Sequence, residues 1–142
     1  MKSKVLLLIF IVFLIFALIG CSGTITPSEI LSAGIIITDW EQNYYSSWQE
    51  WSDLVKVWYK ITNTGNVDID YYKIWFTAYC EDGSSYEDWT NGLAVDVGHY
   101  EFDTTWINVG KNKKVTSIKV TDWELTHYTW KIVIKIKTLI KI

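Results

Sequence analysis

The sequence contains no arginine, and this absence bears on the class of partner that the protein binds. Arginine supplies the planar, two-pronged contact through which proteins grip phosphates and guanine bases. The lysines number 13 against 16 acidic residues, which leaves the 142-residue chain with a net charge of −3. A negative chain without arginine lacks the positive field expected of a nucleic-acid binder. Nucleic acid is therefore a poor candidate partner.

Histidine and cysteine are almost as scarce, with two residues of each type. A catalytic serine or cysteine needs a neighbouring base that is itself held by a third group. His99 follows Gly98 in a predicted turn and His127 lies between two predicted strands, so we expect both at the surface. The Cys-x-x-Cys and His-x-x-x-His spacings of zinc sites do not occur. We therefore expect a protein that is not an enzyme and that carries no metal and no cofactor.

Pairs of acidic residues leave one metal alternative open. The pairs are Asp68/Asp70, Glu81/Asp82 and Glu87/Asp88. Calcium prefers several oxygen ligands, so a site within residues 81–88 is conceivable. The twelve-residue spacing of an EF-hand is absent, however, and Asp82 is explained by a turn with Gly83. Calcium binding is the weaker interpretation of this loop.

The N-terminus has the layout of an export signal. Lys2 and Lys4 precede an unbroken apolar run over residues 5–19. As a helix this run spans about 22 Å, short of the roughly 30 Å hydrocarbon core of a membrane. It ends in Leu-Ile-Gly-Cys at residues 18–21, which resembles the lipobox of bacterial lipoproteins. The resemblance implies a signal peptide over residues 1–20 and a lipid on Cys21. The alternative is an uncleaved membrane anchor with a chance cysteine.

Cleavage before Cys21 would leave a chain of one domain's size. That chain carries 11 lysines and 16 acidic residues, a net charge of −5. We expect residues 21–34 to form the lipidated cysteine and its tether, and residues 35–142 to form the β-sandwich domain. With Cys21 lipidated, Cys80 is either a buried thiol or an intermolecular link. In its predicted strand, Cys80 lies on the same face as Ile74 and Phe76, which favours the buried thiol.

The clearest strand pattern lies in the middle of the chain. In residues 55–62, one set of mainly apolar residues alternates with a second set that should face outward. This period of two predicts a strand with one buried face. The alternation resumes in residues 73–80, where Ile74 and Phe76 mark the buried face. The Asn-Thr-Gly-Asn stretch at residues 63–66 is typical of a turn. We therefore predict that the two strands are joined by that turn and pair as a hairpin.

The second of these strands also carries a family resemblance. Phe-Thr-Ala-Tyr-Cys at residues 76–80, after the Asn-Thr-Gly-Asn turn and before Asp-Gly, resembles the signature of the FxLYD domain. Phe76 and Tyr79 match it, whereas its leucine and final aspartate are replaced by alanine and cysteine. The resemblance covers residues 55–106. It implies an immunoglobulin-like β-sandwich of exported proteins and lipoproteins, with no catalytic residues.

The rest of the chain predicts further strands and no long helix. The strands are predicted at residues 35–41, 93–97, 100–106, 115–125 and 130–136, with a turn at residues 109–113. Residues 84–91 predict an edge strand or loop, residues 30–34 one helical turn, and residues 42–53 a loop or short helical turn. The nine tryptophans and nine tyrosines all follow Cys21, and we expect them to supply the core. Together these patterns predict an all-β fold: an immunoglobulin-like antiparallel β-sandwich of about seven to eight strands, preceded by a signal peptide.

Aromatic residues on the outward phase of the two central strands are the candidate binding face. Trp58 has this phase in the first strand, and Trp75 and Tyr79 have it in the second. If the strands pair, the three rings share one sheet face, where they could stack on sugar rings or receive a protein. Alternatively, residues 84–91 or the loop with Trp48 and Trp51 cover them, or the sandwich is inverted and they form its core.

A short segment occurs twice. Ile-Thr-Asp-Trp-Glu at residues 37–41 is echoed by Val-Thr-Asp-Trp-Glu at residues 120–124. Two copies do not make a repeat architecture. Either they are neighbouring strands that present similar side chains or the match is a coincidence. We favour coincidence in a chain of such biased composition.

The sequence thus predicts a lipid-anchored, extracytoplasmic β-sandwich that acts as a non-enzymatic interaction or envelope-structural module. We expect it to contact the membrane through the lipid on Cys21, and to bind another envelope protein or a glycan. The alternative function is a carbohydrate-binding module that uses Trp58, Trp75 and Tyr79.

Overall fold

The computed structural model describes residues 28–129 in full and the backbone of residues 133–139. Within these residues the chain forms seven strands and no helix. The strands are β1 (Ala33–Tyr45), β2 (Glu50–Asn63), β3 (Ile69–Cys80), β4 (Ser85–Val95), β5 (Tyr100–Asn108), β6 (Val115–Tyr128) and β7 (Val133–Leu139). The predicted all-β class is confirmed.

The strands form two antiparallel sheets. One contains three strands in the order β1-β2-β5, and the other contains four in the order β4-β3-β6-β7. Along each central strand the side chains alternate between buried and half-buried, as the period of two predicted. The buried phases of the two sheets form one hydrophobic cluster between them. This is the arrangement of a β-sandwich.

The predicted hairpin of the two central strands is wrong, because β2 and β3 belong to different sheets. Asn63 stabilises the crossing between them. Its buried side-chain amide donates hydrogen bonds to the carbonyl oxygens of Val67 and Val95, at 2.8 and 2.9 Å. Its Oδ1 accepts a hydrogen bond from the Gly65 amide. Residues 64–68 therefore carry the chain to the opposite sheet, and the two alternation patterns face each other across the interior.

The interior is mostly aliphatic, which corrects the expectation that tryptophan and tyrosine supply it. The fully buried side chains include Val55, Val57, Ile61, Ile69, Ile74, Ile107 and Leu125, with the rings of Tyr59 and Phe76. Burial of each such side chain contributes about 1.5–3 kcal/mol. Trp40 and Trp123 pack against this core but are only partly buried. Cys80 is a buried free thiol, as its phase predicted.

The segment that leads into β1 is extended, so the predicted helical turn at residues 30–34 is wrong. β1 begins at Ala33. Before it, the Ile30 amide donates a hydrogen bond to Oδ1 of Asn66, and the Asn66 amide donates one to the carbonyl oxygen of Ile30. Gly65 permits this approach, since a Cβ there would lie only 2.1 Å from the carbonyl oxygen of Ile30. The segment is therefore fixed to the loop that joins the two sheets.

Residues 42–53 form a β-hairpin rather than the predicted loop or short helical turn. β1 continues to Tyr45 and β2 starts at Glu50, so only four residues make the turn. The Trp48 amide donates a hydrogen bond to the Tyr45 carbonyl, and Gln49 adopts a φ of 52° that closes the turn. Trp48 is thus a turn residue, and Trp51 is a residue of β2.

Residues 84–91 and 93–97, which were predicted as separate segments, contribute to one strand. β4 runs from Ser85 to Val95 without a break, and it lies at the edge of the four-stranded sheet. The edge-strand interpretation of residues 84–91 is therefore confirmed. Val97 lies beyond the strand, where its amide donates a hydrogen bond to Oδ1 of Asp68.

The two Thr-Asp-Trp segments adopt the same irregularity. The register of β1 against β2 shifts at Thr38, and the register of β6 against β3 shifts at Thr121. Each threonine is thus the extra residue of a β-bulge. The carboxylates of Asp39 and Asp122 each accept a hydrogen bond from the backbone amide of the following tryptophan, at 2.8 and 2.9 Å. The two copies thus share a local structure, but β1 and β6 lie in different sheets, so the alternative that they are neighbouring strands is wrong.

Candidate functional site

The three aromatic residues predicted to form a binding face do not lie together. Trp58 is on the outer face of the three-stranded sheet, whereas Trp75 and Tyr79 are on the outer face of the four-stranded sheet. All three side chains are half-buried. A shared face required β2 and β3 to pair, and these strands lie in opposite sheets. Cys21, the predicted lipidation site, lies outside the described residues.

Four aromatic rings and two lysines alternate on the outer face of the three-stranded sheet. The rings are those of Trp58, Tyr100, Phe102 and Trp106. The Nζ atom of Lys56 lies 4.5 Å from the Trp58 ring centroid and 5.7 Å from that of Trp106. Lys60 makes the corresponding contacts with Tyr100 and Phe102. Cation–π contacts of this kind contribute about 0.5–1 kcal/mol each at exposed sites.

The outer face of the four-stranded sheet repeats this arrangement. Trp75 on β3 lies opposite Trp89 on β4, and Lys73 Nζ lies 4.6 and 3.9 Å from the two ring centroids. On the same face, Lys119 Nζ lies 5.6 Å from the ring centroid of Tyr79. On both outer faces, lysines therefore contact the rings that the sequence had suggested for a ligand.

A third aromatic group lies at the tip of the β1–β2 hairpin. The rings of Tyr44 and Trp51 are 4.9 Å apart, and those of Tyr45 and Trp48 are 5.6 Å apart. Trp48 is 70% exposed. A depression of about 220 Å³ lies beside these rings. Its lining consists of Tyr45, Trp48, Glu50, Trp51, Ser52, Asp53, Lys111 and Asn112, and we call it the hairpin cradle.

A second depression, of about 340 Å³, adjoins the hairpin cradle and shares Trp51 and Asn112 with it. Its other lining residues are Glu81, Asp82, Lys113 and Lys114. These four charges form two ion pairs, Lys113 with Asp82 and Lys114 with Glu81. The hydrogen bond from Lys113, assisted by two from Ser84, holds the pKa of Asp82 well below its usual value. The same bond raises the pKa of Lys113. The charges beside the cradle thus neutralise one another.

Gln42 holds the hairpin cradle in place from beneath. Its Nε2 donates hydrogen bonds to the carbonyl oxygens of Ser52 and Lys113, at 2.7 and 2.6 Å. Its Oε1 accepts one from the Val115 amide at 2.9 Å. One side chain therefore joins the hairpin to the loop before β6 and to β6 itself.

Asn112 and Asp53 complete this connection. Oδ1 of Asn112 accepts a hydrogen bond from the Trp51 amide at 3.1 Å. The carbonyl oxygen of Asp53 accepts one from the Val109 amide at 2.8 Å. Both ends of the loop at residues 109–113 are thus bound to the hairpin, so the walls of the cradle are fixed relative to each other.

The loop considered for calcium uses its carboxylates elsewhere. Asp82 pairs with Lys113 and accepts hydrogen bonds from the amide and hydroxyl of Ser84, and Glu81 pairs with Lys114. In residues 28–129, no three His, Cys, Asp or Glu side chains converge to hold a metal ion.

The two histidines lie at the opposite end of the sandwich from the cradle. His99 is exposed, and its Nδ1 is 3.8 Å from a carboxylate oxygen of Asp96. His127 is more covered than the sequence predicted, with 18% of its side chain exposed. Its Nδ1 lies 2.8 Å from the Asp68 carbonyl oxygen and 3.0 Å from Oδ2 of Asp70. Both rings therefore lie beside carboxylates.

Two tyrosines form a further polar contact between the sheets. The hydroxyls of Tyr59 and Tyr72 are 3.5 Å apart, and that of Tyr59 donates a hydrogen bond to Oδ2 of Asp103 at 3.3 Å. Burial raises the pKa of both phenols, and the nearby Tyr72 and Asp103 raise that of Tyr59 further. No buried side-chain nitrogen or oxygen in residues 28–129 lacks a partner. The buried polar side chains of these residues therefore all have hydrogen-bonding partners.

The part of the chain that the structure describes contains no helix long and apolar enough to cross a membrane. No protein-family model and no curated protein matches the sequence. Among solved structures, the X-ray structure of Northeast Structural Genomics Consortium target SoR45 aligns with 80% of this chain. The alignment covers 83% of that chain at 11% identity, with a TM-score of 0.41. At that score the likeness carries no argument about fold or function.

Proposed function

We propose that the protein is a lipid-anchored, extracytoplasmic β-sandwich that acts as a non-enzymatic interaction or envelope-structural module. The observation that supports this proposal is the number of large rings in contact with water. Trp48, Trp89 and Phe102 are each at least half exposed on a sandwich whose interior is already filled. Exposed aromatic surface of this kind is typical of interaction sites.

The anchor is proposed from the sequence. The basic residues, the apolar run and the lipobox-like Leu-Ile-Gly-Cys support a signal peptide over residues 1–20 and a lipid on Cys21. Acyl chains contribute about 0.8 kcal/mol per buried methylene, so more than one chain would hold the protein on a membrane. The partners we propose are that membrane, another envelope protein or a glycan, and not nucleic acid.

We also propose that the sandwich is of the immunoglobulin-like class. The resemblance of residues 76–80 to the FxLYD signature supports this class, and so does the size of the domain. The strand order β1-β2-β5 and β4-β3-β6-β7 adds support, because three plus four strands in two antiparallel sheets is an arrangement of that class. In this proposal Phe76 is a core residue and Tyr79 an outward one.

The carbohydrate alternative needs a different set of residues from the one predicted. Trp58 is separated from Trp75 and Tyr79 by the thickness of the sandwich, so no single glycan chain stacks on all three rings. Lysines also contact all three. A single sugar site therefore cannot use all three rings, and the carbohydrate alternative requires another set of residues.

The anchor is tested by metabolic labelling with a palmitate analogue. The unmodified chain should incorporate the label and fractionate with membranes, and Cys21→Ser should lose both properties. Cys80→Ser is the matched control and should keep them, since that thiol is buried in the core. Undiminished labelling of Cys21→Ser would overturn the lipid anchor. External protease that digests the protein on intact cells, or on spheroplasts where an outer membrane is present, would support the extracytoplasmic location.

A further inference from the structure

We propose that the hairpin cradle binds a neutral oligosaccharide. This inference rests on the proposed function as a binding module and names the site and the ligand class. The cradle combines three aromatic rings with five polar or charged residues around one depression. It thereby differs from the two outer sheet faces, where lysines contact the rings.

The lining of the cradle suits the two kinds of surface that a sugar presents. One face of a pyranose ring is covered with C–H groups, which pack on aromatic rings such as those of Trp48 and Trp51. Its rim carries hydroxyls that both donate and accept hydrogen bonds. Glu50 and Asp53 offer acceptors, and the Lys111 ammonium offers a donor. A protein anchor would instead favour a mainly apolar hole from which charged groups are excluded.

The charges of the cradle favour a neutral ligand. Glu50 and Asp53 outnumber Lys111 in its lining, and the ion pairs of the adjoining depression cancel each other. The chain from Cys21 onward has a net charge of −5. An acidic polysaccharide would therefore meet repulsion both locally and at longer range. A neutral oligosaccharide meets none.

The cradle is also rigid before any ligand arrives. Gln42 and Asn112 bind the hairpin to the loop at residues 109–113 through side-chain hydrogen bonds. A site that is already ordered loses less conformational entropy on binding. The same bonds give Gln42 a positioning role, since it lies beneath the cradle and is not part of its lining.

The direction of β1 places the cradle at the far end of the strand from residue 30, the side on which the proposed anchor precedes the domain in the chain. β1 begins beside the segment at residue 30 and reaches the hairpin turn after 13 residues, a span of about 40 Å for an extended strand. If Cys21 is in the membrane as proposed, the opposite end of the sandwich points outward. The cradle would then be presented to glycans of the surrounding envelope or medium.

The test is calorimetric titration of the full-length protein in detergent micelles. The probes are the neutral hexasaccharides of the cellulose, chitin and amylose series, with oligogalacturonate as the acidic comparison. We expect binding to at least one neutral series and none to the acidic one. Trp48→Ala and Trp51→Ala should each weaken that binding roughly tenfold or more, as loss of a stacking ring does.

Trp106→Ala is the matched control. It removes a tryptophan that is also half exposed but lies on the outer face of the three-stranded sheet. Affinity should be unchanged in this variant. Gln42→Asn should weaken binding without removing any lining residue, because the shorter side chain cannot span to both Ser52 and Lys113. Thermal melts of each variant separate loss of the site from loss of the fold.

Several outcomes would overturn the inference. If Trp106→Ala abolishes binding and Trp48→Ala does not, the glycan site is on the sheet face and not in the cradle. Preference for oligogalacturonate would refute the charge argument. Absence of heat with every neutral probe would refute the ligand class, and so would a photo-crosslinker at position 48 that captures only protein on cells. The proposed function would survive these results as long as Cys21 is lipidated and a partner is captured.

Discussion

Two pairs of rings in this protein have the same separation and opposite environments. Tyr59 and Phe76 are 5.4 Å apart in the interior, where both are fully buried. Tyr100 and Phe102 are also 5.4 Å apart, but they lie on the outer face of β5 and are 56% and 63% exposed. The residue types and the ring distance are alike. What differs is the strand phase of each ring, which is inward for Tyr59 and Phe76 and outward for Tyr100 and Phe102.

This difference shows that the number of aromatic residues in a sequence does not indicate how many of them are buried in the core. A sequence with nine tryptophans and nine tyrosines suggests an aromatic interior. The structure fills the interior largely with valine and isoleucine and places most rings on the surface. Buried rings should therefore determine stability, whereas exposed rings should affect the fold little and serve recognition. The comparison can be tested by the following changes.

The largest effect should come from Phe76→Ala. This change removes a buried ring and leaves a cavity, for which we expect a loss of about 3–5 kcal/mol in the free energy of unfolding. Phe102→Ala removes the same ring from the surface, where it contacts Lys60 and Tyr100, and should cost only about 0.5–1 kcal/mol. Denaturant titration of both variants measures the contrast. Equal losses would show that the outer ring also supports the fold.

The next effect should come from the loop that joins the two sheets. Gly65→Ala would place a Cβ 2.1 Å from a backbone oxygen, which cannot move as a flexible side chain would. We expect a loss of roughly 1–3 kcal/mol, typical of overpacking. Gly34→Ala is the control, since its Cβ would meet nothing closer than 3.8 Å. A tolerated Gly65→Ala would contradict the close approach of the N-terminal segment.

A smaller effect should appear at alkaline pH. The folded protein raises the pKa of Tyr59 and Tyr72 by burying their phenols, so their neutral forms stabilise the fold below the ordinary tyrosine pKa of about 10. That contribution is lost as the pH rises from about 10 toward the raised folded values. The melting temperature should thus fall above pH 10, and fall less in the Tyr59→Phe, Tyr72→Phe double variant.

The smallest effect should come from the surface ion pair of Asp82 and Lys113. The pKa of Asp82 is lowered in the folded protein, so its carboxylate stabilises the fold above the ordinary pKa of about 4. That contribution is lost as the pH falls below this value. Asp82→Asn should therefore lower the melting temperature slightly at neutral pH and progressively less in acid. Added salt should also narrow the difference. A gap that persists in acid would assign the effect to the turn rather than to the charge.

Local patterns predicted the strands because side-chain alternation is a property of each segment alone. The burial of Val57, Ile74 and Phe76 follows directly from the period of two. Strand pairing is different, because it depends on contacts between distant segments. The turn-like residues 63–66 are compatible with a hairpin and with a crossing between sheets. The crossing follows from the pairing of β2 with β1 and β5 and of β3 with β4 and β6, and the hydrogen bonds of Asn63 to Val67 and Val95 stabilise it.

The candidate site was harder to predict for the same reason. Trp58, Trp75 and Tyr79 point outward as expected, but the sheets separate them and lysines contact them. The hairpin cradle joins residues 45–53 to residues 111–112, which are far apart in the chain. A usable signal was present, since two serines at residues 46–47, a residue type common in turns, separate Tyr44-Tyr45 from Trp48 and Trp51. The contribution of Asn112 and Lys111 has no counterpart in any local pattern.

The bulge at Thr38 matters beyond its own strand. β1 lies at the border of the three-stranded sheet, so the side of it that faces away from β2 pairs with no strand among the described residues. A regular border of this kind is a template for pairing between molecules. The extra residue twists β1 and interrupts its even row of amides and carbonyls midway along its length. Neighbouring molecules therefore meet an interrupted ladder of backbone hydrogen-bonding groups at this border, which disfavours the growth of fibrils.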